Sequence, residues 1–187
     1  MALRPRETNF YYLHNRMRAL WEQHAAWTRM TIISIAESLA DENLVTQRLL
    51  RNPADLAAVF RSLYGREVAD RINQLIADHL VIAAQLVKAA KAGDTAAAAA
   101  LERRWYANAD EIAAFLNSIN PYWSREAMQQ MWHVHLAQVK SQAVARLRKD
   151  YAADIAAYDE GEKLLLAMAD EFTAGIVRQF PRIFGTG

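Results

Sequence analysis

The sequence predicts an all-α fold, an antiparallel bundle of five to six helices, on three observations. Punctuation is sparse: six Gly and four Pro in 187 residues leave long runs rich in Ala, Leu, Glu and Arg, which lose least on entering a helix. Apolar residues recur three and four positions apart, and period-two alternation between turn signals is found nowhere, so no strand is expected. One helical pattern also comes round three times. LWEQHAAWTRMTI, LIADHLVIAAQLV and MWHVHLAQVKSQA place His24, His79 and His135 in equivalent slots, 55 and 56 residues apart.

The first helix is expected from about Thr8 to Leu39, on the stripe Leu13, Met17, Leu20, Trp21, His24, Thr28, Thr31 and Ile35. Asp41 and Glu42 open a shorter segment to Leu50. Asn52-Pro53-Ala54-Asp55 reads as a helix start, with Asn52 as N-cap, Pro in the first turn and an acid three residues on. That helix ends at Tyr64-Gly65. The next runs from about Arg66 to Ala92 and carries Ile72, Leu75, Ile76, His79, Ile82 and Leu86. Gly93-Asp94-Thr95 stops it and caps a helix that passes through the Ala96–Ala100 tract to about Ser118. Asn120-Pro121 breaks the chain, Ser124 caps a helix to about Lys149, and a last helix spans Tyr151 to Phe180. Residues 181–187 are expected as a loose tail, and 1–187 as a single domain.

The repetition extends beyond the histidines. LLRNPADLAAVFRSL (49–63) aligns with WYANADEIAAFLNSI (105–119), matching Asn52 with Asn108 and Asp55 with Glu111. In the third copy Asp159 and Glu162 keep a polar pair three residues apart, closer in sequence to their histidine. The unit is thus a helical hairpin of about 55 residues. Stacked hairpins of this kind give a bundle, and a four-helix, ferritin-like core is compatible with them.

Composition removes whole classes of chemistry. A formal net charge of +1 advertises no nucleic acid. The basic clusters Arg16/Arg18, Arg103/Arg104 and Arg146/Arg148/Lys149 are each diluted by acids and read as solvated faces. The chain has no Cys, which excludes disulfides, thiolate zinc sites, iron–sulfur clusters and cysteine nucleophiles. MALRPRETNFYYL holds no apolar signal core, and no stretch has the length of a membrane span. A cytoplasmic protein without membrane span or nucleic-acid partner is expected. A homodimer and an unidentified protein partner stay open.

Each histidine follows apolar residues three and four positions earlier: Trp21 and Leu20, Ile76 and Leu75, Trp132 and Met131. All three rings should therefore face the interior, where a titratable group needs a partner. With Asp55, Glu111, Asp159 and Glu162 turned to the same interior, they form a candidate site for a divalent metal. Zinc, iron and manganese all accept imidazole and carboxylate where thiolate is missing. Trp21, Trp105, Trp132 and Asn108 are the candidate lining of a small-ligand pocket. A structural reading competes with this one. Asn52 and Asp55 are accounted for by the cap, the tryptophans by core packing, and buried imidazoles by hydrogen bonds that set helix register. The Glu-x-x-His pairs of ferritin-type di-metal bundles are missing, as Trp21, Ile76 and Trp132 occupy the position three before each histidine. No catalytic residue is assigned.

Four segments carry a resemblance: LWEQHAAWTRMTIISI, RLLRNPADL, RWYANADEIAAFLNSINPYW and MADEFTAGIVRQFP. Together, over Met17 to Pro181, the chain resembles a small bacterial all-helical family of unknown function, often labelled acetylglutamate kinase. The resemblance implies a cytoplasmic bundle. The kinase label does not fit the residues: phosphoryl transfer needs phosphate-cradling, usually Gly-rich backbone beside strands, and Gly65, Gly93, Gly161, Gly175, Gly185 and Gly187 are scattered. The expected function is a non-enzymatic binding protein whose histidine–carboxylate layer holds a metal or small ligand. The alternatives are a structural or regulatory interaction module and a ferritin-like metal-dependent oxidase.

Overall fold

The computed structural model describes residues 5–185. Among them every regular element is a helix: α1 (Pro5–Glu37), α2 (Glu42–Leu49), α3 (Asn52–Tyr64), α4 (Arg66–Lys91), α5 (Thr95–Ile119), α6 (Arg125–Leu147), α7 (Tyr151–Gln179) and α8 (Pro181–Phe184). The five long helices, α1 and α4 to α7, make the bundle. The short α2 and α3 return the chain from the end of α1 to the start of α4. Helix α1 lies along α7, α7 along α6, α6 along α5 and α5 along α4, while α1 also reaches α4 and α6 across the interior. Short connections force neighbours to run antiparallel.

Local chemistry explains where the helices begin. The carboxylates of Asp94 and Asp150 and the hydroxyl of Ser124 accept the N–H groups of Ala97, Ala153 and Ala127 at 2.9, 3.1 and 3.1 Å. Each bond satisfies one of the donors a helix start leaves free. Gly65 alone joins α3 to α4 and does so at φ 85°, a conformation glycine adopts without a Cβ penalty. The start of α3 differs from expectation. Its N-cap is Arg51, with no side-chain cap bond, and Asn52 lies inside the helix, fully buried. Its amide is drawn away from the local backbone by a partner on α1.

The two ends of the bundle are tied by polar pairs. At one end Arg29 grips Asp154 through both guanidinium nitrogens, at 2.8 and 3.1 Å, and Arg146 lies 3.1 Å from Glu37 and 3.7 Å from Asp154. The Arg146 side chain is 18% exposed, so it is not the solvated residue its basic cluster suggested. At the other end Asn120 donates to the Tyr64 hydroxyl at 3.0 Å, and Tyr64 donates to Gln179 at 2.6 Å. Gln179 in turn donates to the Ile119 carbonyl at 2.9 Å. Trp123 lies against Gly175, where a Cβ would stand 1.9 Å from the indole nitrogen. Residues 181–184, expected in a loose tail, form the single turn α8. Phe184 is buried there and belongs to the core; an aromatic ring this close to the core gains more from burial than the terminus loses in freedom. Thr186 and Gly187 lie outside the described residues.

Candidate functional site

Between these two tied ends lies a layer whose polar atoms are largely unpaired. His24 on α1, His79 on α4 and His135 on α6 are each 1% exposed. The ring of His135 lies between the other two, its centroid 5.6 Å from His24 and 5.9 Å from His79. Helix periodicity explains the convergence: the residue four before each histidine is on the same face, and that face is turned inward.

Two of the three rings are held in the same way. The Oδ1 of Asn52 stands 3.0 Å from His24 Nδ1, and its Nδ2 donates to the Leu20 carbonyl at 2.9 Å. Asn108 does the same on α5, with Oδ1 2.9 Å from His79 Nδ1 and Nδ2 donating to Leu75 O at 3.1 Å. A carbonyl only accepts, so each amide must turn its nitrogen toward the backbone and its oxygen toward the ring. An amide oxygen also only accepts, so Nδ1 of each histidine carries the proton. Burial pushes His24 down to about 4 against the opposing pull of its Asn52 bond. Burial, followed by the charge of His24, pushes His79 down to about 3. Both rings are therefore neutral at pH 7, and each presents a bare lone pair on Nε2. Neither Nε2 has a hydrogen-bond partner.

His135 is different. Burial, and after it the neighbouring His24 and His79, hold it well below the usual range, and its Nδ1 has no partner. In place of an amide clamp it borders a cavity of about 10 Å³ shared with Thr28, Gln142, Tyr158, Gly161 and Glu162, room for about one water. The indole N–H groups of Trp21, Trp105 and Trp132 and the hydroxyl of Thr28 are also buried without partners. Buried polar groups are nearly always paired, and the concentration of unpaired ones here sets this layer apart from the rest of the core. On the opposite side a void of about 20 Å³ is lined by Trp21, Trp132, Phe60, Phe172 and aliphatic side chains, and an apolar void of that kind stays dry.

The other expected site residues scatter. Trp21, Trp105 and Trp132 do surround the imidazoles, with centroids 5.3 Å (Trp21–His24), 5.2 Å (Trp105–His79) and 5.1 Å (Trp132–His79). Asn108 is not a free ligand donor, because both ends of its amide are engaged. Glu111 is 54% exposed and pairs with Arg71, one helix position short of the inward-facing Ile112. Asp159 is exposed and Asp55 edges a surface groove with Tyr12 and Arg16. Glu162 alone of these acids reaches the layer. Two residues that sequence reasoning did not place in the site belong there. Asn52 carries a cap signature at short range, yet its side chain holds His24, and Glu22, two positions before His24, is close enough to Glu162 across the α1–α7 seam to feel its charge.

Among the described residues, no three or more His, Asp and Glu side chains converge as a bound metal ion requires, and no helix is long and apolar enough to cross a membrane. Compared with known proteins, the chain matches no family model, no curated protein and no solved structure.

Proposed function

We propose that the protein is a binding protein whose three-histidine layer takes up a divalent metal ion. The observation that carries this reading is the pair of asparagine clamps. Metal-bound histidines almost always donate one ring N–H to a fixed acceptor, which orients the ring and leaves the other nitrogen to the ion. His24 and His79 have that arrangement, with Nε2 unprotonated, buried and unpartnered. Neutral rings also bind without first losing a proton. Imidazoles sharing one zinc ion at about 2.1 Å have centroids about 5 Å apart, so uptake draws His135 inward from 5.6 and 5.9 Å.

A second reading, a purely structural polar layer, is favoured by the donors' lack of convergence. Protein purified without a histidine tag or chelator separates the two. On the binding reading, elemental analysis finds about one ion per chain, and zinc, iron(II) or manganese(II) raises the melting temperature by mass action. That rise vanishes in His79→Leu and His135→Leu. A parent with no ion and no thermal response to any of the three metals leaves the structural layer standing.

A further inference from the structure

Beside the first turns of α1 a groove of about 480 Å³ opens between α1 and α3, with α8 along its edge. Helix spacing explains why its residues share one face. Tyr12 and Arg16, four apart, lie on one stripe of α1, and Asp55, Ala58 and Ser62 lie on one stripe of α3. The buried Phe184 and a bond from the Asn9 amide to the Ile183 carbonyl, at 3.4 Å, seat α8 beside them.

The groove combines exposed apolar surface with uncompensated charge. Tyr12 is 72% and Ile183 43% exposed, so two large apolar side chains meet water at one groove; scattered single ones are ordinary. Neighbouring charges on both helices are paired, Arg18 with Asp170 at 2.7 Å and Arg61 with Asp70 at 2.8 Å. Arg16 and Asp55 line the same groove, yet neither forms an ion pair with a described residue.

We propose that this groove is the contact face of a two-fold homodimer, filled by the same face of a second copy of the chain. One positive and one negative group on a single face are self-complementary under a two-fold axis. Arg16 of each copy meets the partner's Asp55, which gives two ion pairs across the interface. Tyr12 obeys the same symmetry: it projects from the α1 wall, and the α3 wall carries the short side chains of Ala58 and Ser62. Each copy offers one ring and receives one, and Tyr and Arg are residues that such faces favour. A partner of one charge sign would leave either Arg16 or Asp55 without a mate. The inference is independent of metal binding.

Sedimentation equilibrium of the full chain in metal-free buffer, from micromolar to near-millimolar protein, tests this. The parent is expected to dimerise. Arg16→Glu and Asp55→Arg each set like charges against one another twice, so either variant alone should associate about tenfold or more weakly. Mixed in equal amounts, the two variants should regain the parent's dimer. In that mixture the Arg16→Glu side chain meets the Asp55→Arg side chain at one pair, and unaltered Arg16 and Asp55 meet at the other. Tyr12→Ala should weaken the dimer without changing charge, and it replaces Asp55→Arg as the probe if a melting control shows that variant unfolded. A parent monomeric throughout, a dimer indifferent to these substitutions, or a mixture of folded variants that stays monomeric overturns the proposal.

Discussion

His24 and His79 are each clamped by an asparagine from a neighbouring helix, whereas His135, equally buried, borders a cavity instead. The difference is in what the protein has already decided. For the clamped pair, tautomer and ring plane follow from a hydrogen bond that ends on a backbone carbonyl. For the third ring nothing specifies which nitrogen carries the proton. Two fixed imidazoles therefore stand beside one that no hydrogen bond orients, and only that one borders the cavity shared with Thr28 and Glu162. Glu162 of α7 lines the same cavity.

The largest effect expected from this contrast is on acid stability. His24 and His79 have folded-state values of about 4 and about 3, below the ordinary value near 6.5. The unfolded chain therefore binds protons that the folded chain refuses. Their contribution is full above pH 6.5 and is lost as pH falls toward 4, at about 1.4 kcal/mol per pH unit for each ring. Denaturant melts between pH 7 and 4.5 check this; a flat profile would mean that the two rings are not held neutral.

A smaller effect separates the clamped rings from the free one. His79→Leu strands Asn108 Oδ1 inside the core and should cost about 1–3 kcal/mol. His135→Leu strands no hydrogen-bond partner and should cost less than about 1 kcal/mol in metal-free protein. Equal losses would erase the distinction. Smallest of all, Glu111→Ala removes a half-exposed pair with Arg71. It should change stability by no more than about 0.5 kcal/mol and leave any metal response untouched, whereas a lost response would return Glu111 to the site.

Element boundaries were legible because Pro53, Gly65, Gly93 and Asn120-Pro121 act locally, within a turn of the residues they punctuate. The inward turn of His24, His79 and His135 was legible in the apolar residues three and four positions before each ring, which place all three on buried faces. Asn52 was misread because Asn-Pro is a cap signature at short range, while its real bond crosses 28 residues to another helix. The acids were misplaced for a related reason: aligned sequence positions fix a helix face only to within one residue, and one residue turned Glu111 outward to Arg71. The Arg29–Asp154 pair, 125 residues apart, left no local trace at all. Sequence periodicity reports faces, and side chains of polar residues then choose partners that periodicity does not encode.

The indoles packed on the imidazoles give the layer an optical voice. Trp21, Trp105 and Trp132 sit within 5.3 Å, centroid to centroid, of His24 or His79, inside the range at which an excited indole is quenched by a protonated imidazole or a paramagnetic ion. Trp27 and Trp123 lie elsewhere, against Arg48 and the Tyr64–Phe172 cluster. Intrinsic emission is therefore a built-in gauge of the layer's protonation, readable in unlabelled protein and in real time.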